Sequence, residues 1–504
     1  MAYIWSTKMV RHVGLAVAVF VLVQCVFFMC VLDIILLDDP NASIHTGVQL
    51  RSPVVGEDIS CTPPTTIAEA EEQITRHETW RAGVIGEGVP FYIYDKEDGV
   101  SWTDDLDRII NTSFCVDRPT HFAYRGEVWF LNQLRFSPWR TWNSSAAAVV
   151  VLPLFMHVAE HEDCNYTMND AKGIYDTIRN TELFQRRQED HLLVWTSPTS
   201  LFQKGRIFGP TKFRGNIGVM EFGSHGGVIQ GSIVAPFSSV GPDHISEGYV
   251  NATRSLSTFF AGRFDEATET GYYIRHSLAR QWQNISGIMP NVVFITNDER
   301  ASILFGIKPC TDGKILGSGS CLGSFKTRDY ASNANFIIAP RGDNRNSPRY
   351  AKALEFGAIP IFIGDKLFKS GIPFQCWVPW KLFSLQVSEA NVMCDAASTL
   401  NDAMLAVSQD ERAVMRTLMH HFRRDILWRA TNSRVAENIL LEAVRGKASY
   451  ALLNDMTCPF VDEQRRCTYR RRKFWSWAGL AAECPMSIDL FGYDEKCRGQ
   501  QCCG

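Results

Sequence analysis

From about residue 90 onward, short apolar runs alternate with stretches of helical spacing. "PFYIYDKEDG" from Pro90, the unbroken "AAAVVVLPLFMH" from Ala146, "DHLLVWTS" from Asp190 and "VIQGSIVAPFSS" from Val228 read as strands. The β-branched centre of the second suits a parallel strand covered on both faces. Between these runs, Tyr124, Val128, Leu131 and Leu134 fall on one side of a helix, and "GIYDTIRNTELFQRR" from Gly173 reads as another. The alternation then restarts. "LSTFFAG" from Leu256 is a strand, "TGYYIRHSLARQWQ" from Thr270 a helix and "NVVFIT" from Asn291 a strand. A further strand–loop–helix–strand unit occupies residues 335–365, and long helices follow from Ala397. Strand–helix alternation predicts a doubly wound α/β sheet, and its restart predicts two Rossmann-like halves that part near residues 241–251.

The N-terminal pattern is different. Residues 13–32, "VGLAVAVFVLVQCVFFMCVL", carry one strongly polar side chain, Gln24. A bilayer span needs about 20 such residues. Lys8, Arg11 and His12 precede the run, and Asp33, Asp38 and Asp39 follow it. The positive-inside rule therefore places the short tail in the cytoplasm and the remainder across the membrane. The run is longer than the apolar core of a cleaved signal peptide, and no clear small-x-small site follows, so a signal anchor is expected. The expected layout is a tail over 1–12, an anchor over 13–37, a stem over 38–88, an N-terminal domain over 89–245 and a C-terminal domain over 246–457. An appendage over 458–504 completes it.

Composition sharpens this layout. A chain of 504 residues, 45% hydrophobic and 21% charged, is globular and too long for one core. Its formal net charge of −3 gives no global case for nucleic acid, so any anion site is local. There are 15 cysteines, and N-x-S/T sequons stand at Asn41, Asn111, Asn143, Asn165, Asn251 and Asn284. An oxidising, lumenal setting follows. The last segment holds Cys458, Cys467, Cys484, Cys497, Cys502 and Cys503 without a C-x-x-C pair or a histidine. Disulfides are expected there rather than zinc.

The most informative local chemistry is "NFIIAPRGDNRNSPRYAKALEFGAIPIFIGD" at residues 335–365. Residues 336–339 form the strand and residues 340–346 the loop. Ser347, Pro348 and Gly357 suit the N-cap, the first helical position and the residue past the helix end. Arg341 and Arg345 lie in the loop, and Arg349 lies in the first turn. The helix dipole disfavours an arginine there unless an anion occupies the helix start. A diphosphate would satisfy these groups through bidentate contacts. A solvated basic loop beside a capped helix accounts for the same spacing. No G-x-x-x-x-G-K-[ST] occurs in this unit, and no G-x-G-x-x-G follows the first strand of either half, which argues against ATPase and dinucleotide sites.

At this point the chain resembles the exostosin-type glycosyltransferases. "NFIIAPRG", "SPRYAKALEFG", "AIPIFIGD" and "PFQCWVPWKLFSLQVSE" match that family's C-terminal blocks in order. Upstream, "FYIYD", "YRGEVWFLNQLRFSPWRTWNSSAAAVVVLPLF", "RRQEDHLLVWT" and "FFAGRFDEATETGYYIRHSL" are similar to its earlier blocks. The resemblance implies a GT-B fold, with two Rossmann-like doubly wound domains facing a cleft. It also implies a nucleotide-diphosphate donor, a UDP-sugar, and a glycan or glycoprotein acceptor with inversion at the transferred sugar. The setting it implies is a Golgi type II membrane protein. Arg341, Gly342, Ser347 and Arg349 then hold the diphosphate, Arg263 is a second phosphate candidate, and Glu355 binds ribose or sugar hydroxyls. No metal is required. A homo- or hetero-oligomer with a related transferase fits the same picture.

The base is expected in the N-terminal half, with Glu127, His157 and Asp190 as alternatives. His157, Glu160, His161, Glu162 and Asp163 lie after a buried strand. His157 and His161 would pair on a metal only if this stretch were helical, and a plain polar loop is the expectation. Lys352 stands where the family has an acidic residue, Ser197 and Pro198 replace a histidine–aspartate pair, and Ala358 replaces a cysteine. On Lys352, Ser197 and Pro198 rests a second reading, a catalytically silent partner or chaperone. A third is a carbohydrate-binding scaffold.

Overall fold

The computed structural model describes residues 63–86, 88–112, 125–196, 216–219, 232–238, 250, 252–262, 264, 272–296, 299–309, 325–341, 347–364, 372–375 and 377–445. The chain divides into two compact units, Met1–Val48 and Gln49–Gly504, and every described residue belongs to the second. The expected anchor and the cysteine-rich appendage lie outside the described residues. Among the described residues no helix is long and apolar enough to cross a membrane.

Two parallel sheets form the body. The first contains β1 (Phe91–Ile93), β2 (Val149–Val151), β3 (His191–Val194), β4 (Asn216–Val219) and β5 (Ser232–Val234). The second contains β6 (Leu256–Gly262), β7 (Val292–Thr296), β8 (Lys308–Pro309), β9 (Ala334–Pro340), β10 (Ile359–Ile363) and β11 (Leu385–Val387). The sheets therefore part between Val234 and Leu256. Every residue of β1, β2, β3 and β10 is buried, as expected of parallel strands covered on both faces.

Helices referred to below are α1 (Ile67–Ile85), α2 (Trp102–Asn111), α3 (Gly126–Arg135), α4 (Met156–Glu160), α5 (Met168–Arg179) and α6 (Tyr272–Arg280). They continue with α7 (Phe325–Asn333), α8 (Arg349–Phe356), α9 (Glu389–Leu405), α10 (Gln409–Phe422) and α11 (Val435–Val444). Their boundaries have local causes. Thr167 with Asp170, and Ser408 with Glu411, form reciprocal capping boxes at the starts of α5 and α10. Gly357 ends α8 in the left-handed conformation at φ 71°, where a side chain would be strained.

The second sheet has strand order β11-β10-β9-β6-β7-β8. This is a doubly wound order, the class that the sequence predicts, and its reversal lies between β6 and β9. The first sheet departs from expectation: its order is β1-β2-β3-β4-β5, each strand beside its predecessor. No reversal point exists among these strands. A sheet wound in one direction places its own crossover helices on one side. It draws further cover from α11, which comes from the far end of the chain and packs against α3, β2 and β5.

The expected stem also needs correction. Its helical part, α1, is built into the body and packs against α10. His77 Nε2 lies 2.9 Å from the Trp377 carbonyl oxygen, and Arg81 Nη2 donates to Asn438 Oδ1 at 2.6 Å. Glu78 accepts from Arg434 Nη1 at 2.7 Å and pairs with Arg424 at 3.0 Å. Buried Asp425 accepts from Arg434 Nε at 2.9 Å and lies 3.7 Å from Arg81 Nη1. The charged residues of α1 that read as part of a stem are partners for charges on the C-terminal helices.

Candidate active site

In a doubly wound sheet, ligands bind beyond the carboxyl ends of the strands where the order reverses. Here that crevice is flanked by Gly262, the last residue of β6, and Pro340, the last of β9. Arg349, the first residue of α8, turns into it. Its Nε donates to the Ala261 carbonyl at 2.7 Å and its Nη1 to Ser347 Oγ at 3.2 Å. The guanidinium carbon lies 4.8 Å from the centre of the Phe260 ring. Arg349 is 5% exposed and Ser347 2%. Gly262 makes the seat possible, since a Cβ placed there would lie 2.2 Å from Arg349 Nη2. A carbonyl, a hydroxyl and an aromatic face thus fix the orientation of a cation at a helix start, where an anion is the natural ligand.

One turn along α8, Lys352 and Glu355 are almost fully buried. Lys352 Nζ lies 3.5 Å from Glu355 Oε2, too long for a strong hydrogen bond. Neither Lys352 Nζ nor either Glu355 oxygen has a hydrogen-bond partner among the described residues. Burial pushes the Lys352 ammonium down from the usual lysine range, and the Glu355 charge opposes this. Burial pushes the Glu355 carboxyl up, against the pull of Lys352, Arg328 of α7 and Arg429. Glu355 therefore sits among three cations.

Arg341 differs from expectation. Its Nη2 lies 2.9 Å from Glu389 Oε2, so the chain supplies its own counter-charge. Glu389 opens α9, where the dipole favours a carboxylate. Arg263 and Gly342 lie outside the described residues, as does Arg345. The sequence missed Gly262, although a glycine closing an apolar strand is a legible sign of close approach. Glu389 closes the quoted block "PFQCWVPWKLFSLQVSE", but its pairing with Arg341 was not foreseen, and Arg328 was missed, since spacing carries no signal for either.

The three candidate bases separate. Asp190 precedes β3, at the amino edge of the first sheet, and its Oδ2 accepts from Arg187 Nε at 2.7 Å. That arginine also donates to the carbonyls of Ser144 and Ala147, and the neighbouring His191 ring bridges the Arg187 carbonyl and Tyr94 Oη. This is a hydrogen-bond network at the amino edge of the strands, opposite the carboxyl ends where ligands bind in such sheets. Glu127 is fully buried, and its Oε1 accepts from the backbone N–H of His157 at 2.6 Å and Val158 at 3.1 Å. It caps the start of α4. Burial pushes its carboxyl up to about 8, tempered by those backbone donors. His157 is on α4, beyond the carboxyl end of β2, with its Nδ1 3.6 Å from Glu160 Oε2 and its ring 4.5 Å from that of His161. The segment expected to be a polar loop is helical.

The segment that follows β5 touches elements of the second half. The Phe237 N–H, three residues past β5, donates to Tyr350 Oη of α8 at 3.1 Å. Trp428 Nε1 donates to the Pro236 carbonyl at 2.8 Å. Comparison with known families bears on this arrangement: the model described as the Exostosin GT47 domain matches residues 85–404, more than half of the chain. The chain belongs to the exostosin GT47 family. The crevice and Arg349 both fall within the matched exostosin domain.

Similar curated proteins include "Probable glucuronosyltransferase GUT1" of Oryza sativa subsp. japonica, 25% identical over 182 residues, which are 34% of this chain and 36% of that protein. "Probable beta-1,4-xylosyltransferase IRX10" of Arabidopsis thaliana is 25% identical over 182 residues, covering 34% of this chain and 37% of that protein. The chain thus matches little more than a third of the length of these relatives. Among solved structures, a glycosyltransferase from Rickettsia africae ESF-5 aligns with a TM-score of 0.33 and 8% identity, over 70% of this chain and 99% of that one.

Proposed function

We propose that this protein is an inverting glycosyltransferase of GT-B architecture that takes its sugar from a nucleotide-diphosphate donor, a UDP-sugar. The acceptor is a glycan or glycoprotein. The observation that carries the reading is Arg349, oriented by its neighbours at the strand-order reversal of an exostosin domain. The names of the plant relatives support sugar transfer in general and leave the donor sugar open.

In this reading the acceptor hydroxyl attacks the anomeric carbon in line and loses its proton to a base. Positive charge grows on the sugar ring and negative charge on the leaving diphosphate. Arg349 and the start of α8 stabilise the diphosphate electrostatically. Ser347 holds the Arg349 side chain in place. Arg341 is a secondary contact, because Glu389 competes for it. Glu127 is engaged with backbone amides and Asp190 faces the other edge, which leaves the turn at His157, beyond the carboxyl end of β2, as the place where the proton is taken up. We place the reaction in the Golgi lumen behind a type II anchor at residues 13–37. The sequons and the disulfide-bonded Cys164 support an oxidising compartment.

One observation favours a second reading, a partner that binds nucleotide without turnover. Lys352 occupies Glu355 with a cation from the same helix, which competes with donor hydroxyls for that carboxylate. Transfer and donor hydrolysis by the purified protein across a panel of nucleotide sugars decide between the two. Turnover with one donor supports the transferase. UDP binding without turnover supports the silent partner, and absence of nucleotide binding overturns both.

The seat of Arg349 makes a separate prediction. In Gly262→Ala the added methyl displaces the Arg349 guanidinium and also presses on the buried Phe260 ring, whose Cζ would lie 2.8 Å away. UDP affinity is expected to fall about tenfold, or about 1.4 kcal/mol, together with a lower midpoint of thermal unfolding. Calorimetric titration of both proteins checks it.

A further inference from the structure

We propose that His157, Glu160 and His161 form a binding site for a single divalent transition-metal ion, best suited to Zn2+. The three residues offer ligand atoms that all lie within 4.8 Å of one another. The His157 and His161 side chains are four residues apart on one turn that starts at Met156, so both imidazoles rise from the same side, with Glu160 between them. His157 Nδ1 and Glu160 Oε2 are 3.6 Å apart. That separation is beyond a hydrogen bond. It is close to the edge of a tetrahedron of ligands held at about 2.1 Å from zinc, roughly 3.4 Å. A modest rotamer change at exposed His161 closes the third ligand onto the same point.

The surroundings fit an ion rather than a chance surface cluster. His157 is 1% exposed and the Glu160 side chain 3%, while His161 lies at the surface and gives an entry path. Glu127, fully buried, accepts from the backbone amides of His157 and Val158 and so fixes the turn that carries the ligands. Two imidazoles and one carboxylate suit zinc-class ions, whereas Mg2+ and Ca2+ prefer oxygen alone. Three protein ligands leave a coordination position for solvent or an acceptor hydroxyl, the arrangement of reactive rather than purely structural zinc sites. The site lies beyond the carboxyl end of β2, apart from the Arg349 crevice beyond β6 and β9. Any part the ion plays in transfer rests on the function proposed above, but its binding does not.

The test uses the full chain without an affinity tag, stripped with a chelator and titrated with Zn2+ in the absence of donor and acceptor. The wild type is expected to bind one equivalent, and Co2+ in its place should give visible absorption bands of a nitrogen- and oxygen-ligated site. His161→Ala, at an exposed position, should weaken Zn2+ binding at least tenfold with an unchanged thermal midpoint. Glu160→Gln should weaken it as well, and serves as the reading if the histidine variant does not fold. No stoichiometric Zn2+ on the wild type, or equal affinity in the variants, overturns the site. Because no sugar donor is present, this outcome is independent of whether the protein transfers sugar.

Discussion

Arg349→Ala lowers donor turnover by about 100- to 1,000-fold, the usual cost of removing a preorganised charge stabiliser from a developing anion. The size follows from the seat of the side chain. A flexible surface arginine would lose entropy on meeting its ligand, and its removal would cost little. Arg349 is already held by the Ala261 carbonyl, Ser347 Oγ and the Phe260 ring, so its charge is in place before the diphosphate leaves. Arg349→Lys recovers only part of the loss, because an ammonium cannot make the fork of bonds that a guanidinium offers. Steady-state kcat/KM with the donor that the wild type uses, alongside circular dichroism of each variant, checks both statements. A wild-type rate in Arg349→Ala would remove this residue from the chemistry.

Asp425→Ala is expected to destabilise the protein by about 3–5 kcal/mol, the cost of removing one partner from a buried ion pair. Asp425 is fully buried between Arg81 of α1 and Arg434, and its loss removes the carboxylate that the two guanidinium groups share, leaving Arg434 with Glu78 and Arg81 with Asn438. Burial pushes the Asp425 carboxyl up, but Arg81 and Arg434 more than offset that and hold it below the usual range. Glu78 is likewise held down: burial opposes ionisation, and bonds from His421, His77 and Arg434 outweigh it. For carboxylates with depressed values, the stabilisation is complete above the unfolded value, near pH 4, and fades as pH falls below it. The gap in unfolding free energy between wild type and Asp425→Ala is therefore wide at pH 7 and narrows below about pH 4. Urea unfolding at the two pH values measures it. A gap that stays constant with pH would show that α1 is not held by these charges.

Periodicity made β6, β7, β9 and β10 legible because those strands are apolar and five to seven residues long, whereas two-residue, exposed β8 and three-residue β11 carried no such signal. The helix start at Arg349 was legible within one residue, and so was its glycine stop at Gly357. Strand order in the first sheet was not legible. Alternation of strands and helices says that a sheet is parallel, but not in which direction each crossover turns. The burial of α1 was hidden because its partners, Trp377, Asp425, Arg434 and Asn438, lie hundreds of residues away. Distance also hid the pairing of Arg341 with Glu389. The histidine cluster was visible in the letters "HVAEH", yet its meaning depended on the backbone being helical there, which so short a segment does not announce.

Lys352 shows how the two sources combine. Sequence alone marks it as an unusual residue in an exostosin helix. The structure gives it a partner, Glu355, and removes it from solvent. In the function proposed above, a donor hydroxyl that reaches Glu355 competes with Lys352 for that carboxylate.

The central claim is that the start of α8 holds a nucleotide diphosphate through Arg349. Calorimetric titration of UDP into the wild type and into folded Arg349→Ala tests it most directly, without any need to know the sugar or the acceptor. The predicted result is one site on the wild type and at least a tenfold weaker site on the variant. Equal UDP affinity in the two proteins would contradict the claim.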